Sequence, residues 1–267
     1  MALHVVVTAK QVIDPEIPPA AFHIDAAARQ VTVPPTFPPV VNGFDEYAVE
    51  AALRLKDQHG ATVTVLAAGP QFDLAVMRKP LAMGADRLVL CQDPALANSP
   101  DSLVTARVLQ AALAKLEPFD LILCGRQASD WDNAQVPLYL AELLHLPCLP
   151  LAQKVEVAGG SVRAELLLPD GYQVAEAPLP ALVTVSNELG QPRYPTMRHI
   201  MAANRKRPTV WTLADLGLSA AQLTPGVEVV ALWRPERQLQ CELISAADDA
   251  AAAVEQLLDK LHAEGLL

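Results

Sequence analysis

The amino-acid sequence predicts an α/β fold with a doubly wound, mostly parallel sheet, an antiparallel insertion and a C-terminal extension. Between residues 3 and 146, short β-branched or apolar runs alternate four times with helical spacing, which is typical of an open sheet covered on both faces. Residues 154–177 alternate apolar and polar side chains around Gly-Gly and Asp-Gly turns, as an antiparallel meander does. A proline-containing connector then leads to a last helix with an apolar stripe.

Five strands and five helices are predicted, with a short hairpin before the first helix. The strands are 3–9, 62–69, 87–92, 119–125 and 180–186; the helices are 45–60, 72–84, 101–116, 138–146 and 245–267; the hairpin is 22–33. Pro80 should kink the second helix, because proline removes a helical hydrogen bond. A helix-like stretch, 197–204, lies within an irregular basic segment, 190–208. We expect two domains, residues 1–235 and 236–267.

The composition excludes two classes of partner. The net charge is −10 and aromatic residues make up 4% of the chain, whereas a nucleic-acid-binding protein needs a basic face. No apolar run reaches the roughly 18 residues of a membrane span, and the N-terminus does not resemble a signal peptide. We therefore expect a cytoplasmic protein with no nucleic-acid partner and no membrane span.

The sequence contains no motif for metal binding or side-chain catalysis. Its four cysteines are far apart and its six histidines are scattered, so neither a CxxC nor a His-x-x-His pair is present. Cysteines that end or follow apolar runs are interpreted as buried thiols. A GxGxxG run and a P-loop are also absent. The sequence therefore predicts no metal site and no catalytic side chain.

Three predicted strand ends are rich in small residues, and they indicate a nucleotide site. They are Thr8–Lys10, Ala67–Pro70 and Gly125–Ser129. Ligands of open α/β sheets bind outside the carboxyl ends of the strands, where small side chains let a ligand approach the backbone and helix starts present N–H groups to anions. Lys10 and Arg126 are either phosphate contacts or solvated charges.

The stretch SDWDNAQVP, residues 129–137, joins the fourth strand to its helix and has three interpretations. Asp130, Asp132 or Asn133 are candidate N-caps of that helix, whose first turn would tolerate a proline. A catalytic carboxylate pair is the second interpretation, although the sequence supplies no partner residue for it. The third is a nucleotide cradle in which Asn133 and Gln135 donate hydrogen bonds.

Five stretches in order resemble the β subunit of electron-transfer flavoproteins. They are VTAKQVID, NGFDEYAVEAALRLK, LAMGADR, GRQASDWDNAQV and LPALVTVSNELGQPRYPTMRHIMAANRKR. The resemblance implies a heterodimer with a homologous α subunit, which carries the electron-transferring FAD, while the β subunit buries an adenine nucleotide. It also implies that the cofactor, rather than a side chain, supplies the chemistry.

In this family the β subunit binds structural AMP or, in the electron-bifurcating branch, a second FAD that takes a hydride from NADH. Residues 130–136 are closer to the bifurcating pattern, so FAD is favoured and AMP is the alternative. Trp131 and Pro137 depart from that pattern, since glycines are usual at both positions, and an emptied site is therefore the third alternative. Electrons are expected to pass between NADH or an acyl-CoA-type dehydrogenase and a quinone, ferredoxin or flavodoxin acceptor.

Strand ends and matching motifs together predict the nucleotide contacts, and Asn42 is included because it begins the first helix beside the site. The predicted contacts are Thr8, Ala9, Asn42, Ala68, Gly69, Ser102, Thr105, Gly125, Asp130, Asn133, Gln135 and Val136.

Residues 191–207 correspond to the loop and short helix that anchor a partner dehydrogenase in this family. Met197 takes the position of a protruding leucine. Four basic residues would flank it for an acidic partner: Arg198, Arg205, Lys206 and Arg207. The alternative is that Met197 packs within the protein and the basic run ends a solvated helix. The apolar stripe of the last helix is expected to lie on the α subunit.

A second class of function, adenine-nucleotide sensing by a stress-type protein, uses the same fold. Such a sensor would carry a glycine-rich run late in the domain, and this sequence has none. An adenylating enzyme would carry a Ser-Gly-Gly phosphate loop after the first strand, where this sequence has VTAKQVID. Both functions are therefore disfavoured.

Overall fold

The computed structural model describes residues 3–97, 101–116, 118–235, 241–246 and 249–267. The chain divides into two compact units, Met1–Leu232 and Trp233–Leu267. Part of the predicted start of the last helix, residues 247–248, lies outside the described residues. No helix within the described ranges is long and apolar enough to cross a membrane.

The first unit is built on a nine-stranded sheet. Its strands are β1 (His4–Thr8), β6 (Thr62–Gly69), β7 (Arg87–Gln92), β8 (Leu121–Gly125), β9 (Cys148–Ala158), β10 (Ser161–Leu168), β11 (Gly171–Pro178), β12 (Ala181–Val185) and β13 (Thr209–Trp211), in the order β11-β10-β9-β12-β8-β1-β6-β7-β13. From β12 to β13 every neighbouring pair is parallel. The predicted doubly wound α/β fold is confirmed.

The described ranges contain seven α-helices, six in the first unit and α7 in the second. They are α1 (Gly43–His59), α2 (Leu74–Met77), α3 (Lys79–Met83), α4 (Ser102–Lys115), α5 (Val136–Leu144), α6 (Met197–Arg205) and α7 (Ala250–Ala263). Gly60 ends α1 in the left-handed region, with φ of 67°, as its position predicts. The single helix predicted over 72–84 is instead two short helices, because Pro80 suits the first turn of a new helix better than the interior of a long one.

The parallel strands are buried on both faces, because successive side chains point to opposite sides of the sheet. Val5 and Val7 of β1 pack in one hydrophobic cluster with α1, whereas Val6 packs in the other with α4 and α5. The same alternation recurs in β8 and β12, whose residues are all buried. Continuous apolar runs in the sequence therefore correspond to central strands.

The antiparallel insertion is confirmed, and it extends the main sheet. The first half of β9 runs parallel to β12, with Leu182 opposite Cys148, and its second half pairs antiparallel with β10. The meander was predicted to start at residue 154, whereas its first strand, β9, starts at Cys148. Strand β9 serves both parts of the sheet because it is long enough to pair with different neighbours along its length.

Three small pieces complete the first unit. The predicted hairpin is present as β3 (His23–Asp25) and β4 (Gln30–Thr32). The pair β2 (Gln11–Val12) and β5 (Val40–Val41), and the edge strand β13, were not predicted. Pieces of two or three residues carry too little periodicity to be recognised in a sequence.

An ion-pair cluster ties the segment before α6 to α1. The carboxylate of Glu50, almost fully buried, accepts hydrogen bonds from Nε of Arg193 at 2.8 Å and from its backbone N–H at 3.0 Å. Arg193 also pairs with Asp57 at 2.8 Å. Burial alone would raise the pKa of Glu50, but the hydrogen bonds from Arg193 and Arg54 outweigh it and hold that pKa below its usual value. This cluster fixes where α6 begins.

Glu50→Gln should lower the free energy of unfolding by about 1–3 kcal/mol at pH 7, because charge-assisted hydrogen bonds to a buried carboxylate are lost. The pKa of Glu50 is depressed in the folded protein. Its stabilising effect is therefore present above the unfolded pKa, near 4.5, and is lost as the pH falls through the lower folded value.

Urea unfolding from pH 3 to pH 7 measures both effects, with Glu156→Gln as the control. Glu156 pairs with Lys154 on the surface, and exposed pairs contribute little. Wild type and Glu50→Gln should converge in acid. A constant difference between them at every pH would contradict this assignment.

Candidate functional site

A cavity opens at the carboxyl ends of β1, β6 and β8. The chain leaves β1 towards β6 and β7 on one side, and β8 and β12 continue the sheet on the other. This reversal makes the β1–β8 boundary the topological switch point, the place where open α/β sheets bind ligands. The cavity also borders the starts of α4 and α5 and is called the strand-end cavity below.

Ten of the twelve predicted contacts line the strand-end cavity. They are Thr8, Ala9, Ala68, Gly69, Ser102, Thr105, Gly125, Asn133, Gln135 and Val136. Residues far apart in the sequence meet there because the strands are parallel and end at one edge of the sheet. As contacts to a nucleotide these residues stay predictions, but the structure brings them to one place.

The other two predicted residues lie outside the cavity lining and hold its loop. Asn42 is fully buried, donates from Nδ2 to the carbonyl of Gln127 at 2.8 Å, and accepts the N–H of Ser129 at 3.2 Å. Asp130 pairs with Nζ of Lys10 at 2.7 Å. The loop between β8 and α5, residues 126–135, is therefore tied by Asn42 to the start of α1 and by Asp130 to Lys10, just beyond β1.

Asp45, in the first turn of α1, was missed by the sequence interpretation. Its buried side chain lines the cavity and accepts the backbone N–H of Lys10 at 2.8 Å. Burial raises the pKa of Asp45 to about 7, although hydrogen bonds from Asn42 and from the backbone of Lys10 and Gly125 oppose the rise. Acidic residues are common in the first turn of a helix because they interact favourably with the helix dipole. The sequence therefore did not distinguish Asp45 from an ordinary first-turn acid.

The start of α1 approaches the end of β8 so closely that only glycine fits at position 125. A Cβ on Gly125 would lie 2.4 Å from Oδ1 of Asp45 and 2.7 Å from the carbonyl carbon of Phe44. Since the backbone N of Asp45 would also lie only 2.8 Å away, the backbone would have to shift. The sequence interpretation selected Gly125 for a ligand, and the structure adds this packing requirement.

The N-cap interpretation of residues 130–133 is wrong. The N-cap of α5 is Gln135, whose side chain makes no cap hydrogen bond. The acids are engaged elsewhere: Asp130 with Lys10, and Asp132 with Nε2 of Gln127 at 2.8 Å. Asp130 is therefore engaged by a partner far along the chain and Asp132 by a partner within the loop, so neither caps the helix. The Gln135 side chain accepts no hydrogen bond from the first turn of α5.

The 126–135 loop adopts an unusual backbone. Asp132 and Ala134 have φ values of 51° and 54°, in the left-handed region, where a residue with a Cβ is disfavoured by about 1–2 kcal/mol. Tertiary hydrogen bonds hold this shape, because Asn42, Lys10 and Gln127 each bond to the loop or within it. Strained loops held in this way cluster at binding sites.

The chemical character of the cavity fits a nucleotide. Hydroxyl and amide groups of Ser102, Thr105, Asn133 and Gln135 supply donors, and Lys10 supplies a cation. An apolar wall was missed by the sequence interpretation, because its members look like ordinary core residues: Leu96, Val104, Val108 and Leu109. A nucleotide needs polar groups for its sugar and phosphate and an apolar wall for its ring, and the cavity offers both.

The described ranges show no grouping of side chains that would suggest a metal site. No cluster of three or more His, Cys, Asp or Glu side chains is placed to hold a metal ion there. Cys91 and Cys124 are buried, as predicted, and burial raises the pKa of each thiol to about 12, so neither is a ready nucleophile. Arg126 points towards Phe44, with 5.6 Å between the guanidinium carbon and the ring centre, and it does not line the cavity.

Helix α6 presents a second candidate surface. Met197 at its start is 73% exposed, and Met201, one turn later, is also exposed. The alternative in which Met197 packs within the protein is therefore wrong. Arg198, Arg205 and Arg207 are exposed as well.

Lys206 differs from the other basic residues, because its Nζ donates to the carbonyls of Ala85 and Asp86 at 2.9 and 3.2 Å. It secures the end of α6 to the start of β7. The side chain of Lys206 is thus engaged within the chain. Of the four basic residues predicted to contact a partner, it has the least support.

Gly125→Ala should destabilise the protein by about 1–3 kcal/mol, the usual range for forcing an extra carbon into a packed site, and should distort the strand-end cavity. Gly43→Ala is the matched control, since a Cβ at Gly43 meets nothing within 4 Å. Thermal unfolding of both variants measures the difference. Equal midpoints for the two would show that α1 and β8 are not in the contact described.

Comparison with known proteins identifies the family. The electron transfer flavoprotein domain matches residues 38–216. Electron transfer flavoprotein subunit beta of Thermoanaerobacterium thermosaccharolyticum is 35% identical over 235 residues, which cover 86% of this chain and 88% of that protein. The subunit beta of Clostridium acetobutylicum is 37% identical over 221 residues, 83% of each chain.

A third relative has a more specific name. The caffeyl-CoA reductase-Etf complex subunit CarD of Acetobacterium woodii is 37% identical over 183 residues, which cover 68% of this chain and 70% of that protein. The family match covers α6 and most of the sheet and of the strand-end cavity, but not β1 or the cavity residues Thr8, Ala9 and Lys10. The chain therefore belongs to the electron transfer flavoprotein family and is similar to its β subunits over most of its length.

Proposed function

We propose that this chain binds FAD in the strand-end cavity and acts as the β subunit of an electron-bifurcating heterodimer. The α subunit would carry a second FAD, and NADH would be the hydride donor. The observation that carries the proposal is the meeting of ten motif and strand-end residues in one cavity at the topological switch point. The cytoplasmic location predicted from the sequence belongs to the same proposal.

The protein's own residues would bind and orient the cofactor. Ser102 and Thr105 at the start of α4, with Asn133 and Gln135 before α5, offer donors to sugar and phosphate oxygens. The two helix starts would favour negative charge there. Once bound, a flavin supplies hydride and electron transfer itself, which accounts for a site with donors and apolar walls in place of catalytic side chains.

AMP is the alternative occupant. It would use the same polar groups and the same apolar wall, and its role would be structural. The order Asp-Trp-Asp-Asn-Ala-Gln-Val at residues 130–136 favours FAD, as it is closer to the bifurcating pattern. Pro137 lies in the first turn of α5, and since it has no N–H it removes one donor that a phosphate could use.

Two surfaces support assembly with other proteins. The predicted apolar stripe consists of Leu257, Leu258, Leu261 and Leu266; Leu261 is half-buried and the other three are exposed on or just beyond α7. We assign this stripe to the α subunit with which family β subunits pair. We assign Met197 and its basic neighbours to a partner dehydrogenase or reductase. The reductase-Etf complex in the name of the CarD relative is consistent with a CoA-ester enzyme as that partner.

A stress-type nucleotide sensor is the function of another class. It would be a colourless homodimer that binds ATP, whereas a flavoprotein subunit would co-purify with a second chain and be yellow. The family match over residues 38–216 favours the flavoprotein. An absorbance spectrum of the purified protein distinguishes the two.

Gln135→Ala should weaken nucleotide retention, because a ligand group would lose a hydrogen-bond donor worth about 1–3 kcal/mol. We expect roughly 5- to 150-fold faster release and an unchanged heterodimer. The measurement is nucleotide content after gel filtration and denaturing extraction. Gln173→Ala, on the exposed edge strand β11, is the control, and equal content in both variants would remove Gln135 from the site.

Met197→Ala should slow electron exchange with the partner enzyme while flavin content and heterodimer stability stay intact. Burying a methionine side chain contributes about 1.5–3 kcal/mol, so the KM for the partner should rise about tenfold or more. Leu168→Ala, a similarly exposed apolar residue on β10, is the control. Identical partner kinetics for wild type and Met197→Ala across a salt series would contradict the docking assignment.

A further inference from the structure

Trp131 places an indole at the edge of the strand-end cavity. It lines the strand-end cavity and is nevertheless 44% exposed. Because the exposed ring lines a cavity, a ligand bound there can cover it. Within the described part of the chain, its ring makes no aromatic or cation contact, since the two such contacts found there belong to Trp211 and Phe44.

The loop holds Trp131 in place on both sides. The residue before it, Asp130, is paired with Lys10 at 2.7 Å, and the residue after it, Asp132, accepts from Gln127 at 2.8 Å. The backbone N–H groups of Trp131 and Asp132 both bond to the carbonyl of Ala128, at 3.3 and 2.8 Å. The indole is thus presented by a fixed turn rather than by a flexible tip.

The remainder of the cavity suggests what the indole meets. Leu96, Val104, Val108 and Leu109 form its apolar wall, while the polar groups are uncharged except for Lys10 and Asp45. An apolar wall and an exposed indole in one cavity suit a flat, apolar-faced group with polar edges. A sugar phosphate alone would leave the exposed indole uncovered.

We propose that Trp131 stacks on the planar heterocycle of the bound nucleotide and makes this site select ligands that carry an aromatic ring. The inference rests on the proposed function, since it needs a nucleotide in the strand-end cavity. Stacking of an aromatic side chain on a base tolerates different rings because every base has a π-face. The heterocycle is either adenine or the flavin isoalloxazine, and the two are separable by the choice of probe.

The first experiment measures release of the bound nucleotide from the purified complex with the α subunit. Wild type is compared with Trp131→Ala, Trp131→Phe and the control Leu138→Ala, which changes an exposed residue of α5 outside the cavity lining. Trp131→Ala should release the nucleotide roughly tenfold faster or more, the scale of one lost stacking contact. Trp131→Phe should stay within about threefold of wild type, because a phenyl ring still stacks, and Leu138→Ala should match wild type.

The second experiment uses nucleotide-depleted complex and three probes: AMP, FMN and ribose 5-phosphate. Trp131→Ala should weaken binding of AMP if adenine is the stacked ring, or of FMN if isoalloxazine is, and should leave ribose 5-phosphate unchanged. Trp131 fluorescence should be quenched by the probe whose binding is weakened. A variant that loses ribose 5-phosphate as strongly as the ring-containing probes would overturn the stacking role.

The remaining outcomes also decide the matter. Equal release rates for wild type and Trp131→Ala overturn the proposal, as does a Trp131→Phe variant that behaves like Trp131→Ala. Unchanged release combined with dissociation of the α subunit would assign the indole to the subunit interface instead. A wild-type complex that holds no nucleotide besides the α subunit's FAD contradicts the proposed function itself, whereas a retained nucleotide that ignores Trp131 contradicts the stacking alone.

Discussion

The buried carboxylate of Asp45 is the interaction on which the geometry of the strand-end cavity depends. It accepts the backbone N–H of Lys10, just beyond β1, and hydrogen-bonds to the backbone of Gly125 at the end of β8. One side chain from α1 therefore joins the two strands that flank the topological switch point. Because it is buried, replacing it by an apolar group would leave those backbone donors without an acceptor, which is costly.

Other features of the cavity follow from this contact. Gly125 must lack a side chain, because α1 lies against it. Lys10, fixed at its backbone by Asp45, directs its amine to Asp130 and so holds the 126–135 loop. Asn42, immediately before α1, binds the same loop at Gln127 and Ser129. The loop can therefore keep left-handed residues at Asp132 and Ala134 and present Trp131 in one place, a degree of preorganisation that lowers the entropy cost of binding.

The fold was predictable from the sequence where a continuous apolar run marks a buried strand or where a glycine marks the end of a helix. The parallel strands β1, β6, β7, β8 and β12 were visible because they are apolar on both faces, and Gly60 ended α1 as expected. The edge strand β13 and the double pairing of β9 were not visible. Their existence depends on which neighbour the sheet offers, and a three-residue strand has no period of its own.

Most of the candidate site was also predictable, because strand ends of a parallel sheet converge on one edge. What failed was the assignment of individual polar side chains. Asp130 was a candidate cap, yet its partner Lys10 lies 120 residues away in the chain, and Asp45 was an ordinary first-turn acid until its burial was known. The apolar wall was not predicted either, because Val104 and Leu109 have the spacing of a helix face that packs in the core.

Identifying the nucleotides in the wild-type protein tests the central claim most directly. The complex with the α subunit should be purified without added cofactor, denatured, and its released nucleotides separated and counted per heterodimer. We expect two FAD molecules, one held by each subunit. One FAD and one AMP would place AMP in the strand-end cavity, whereas one FAD and no second nucleotide would contradict the assignment of that cavity as a nucleotide site.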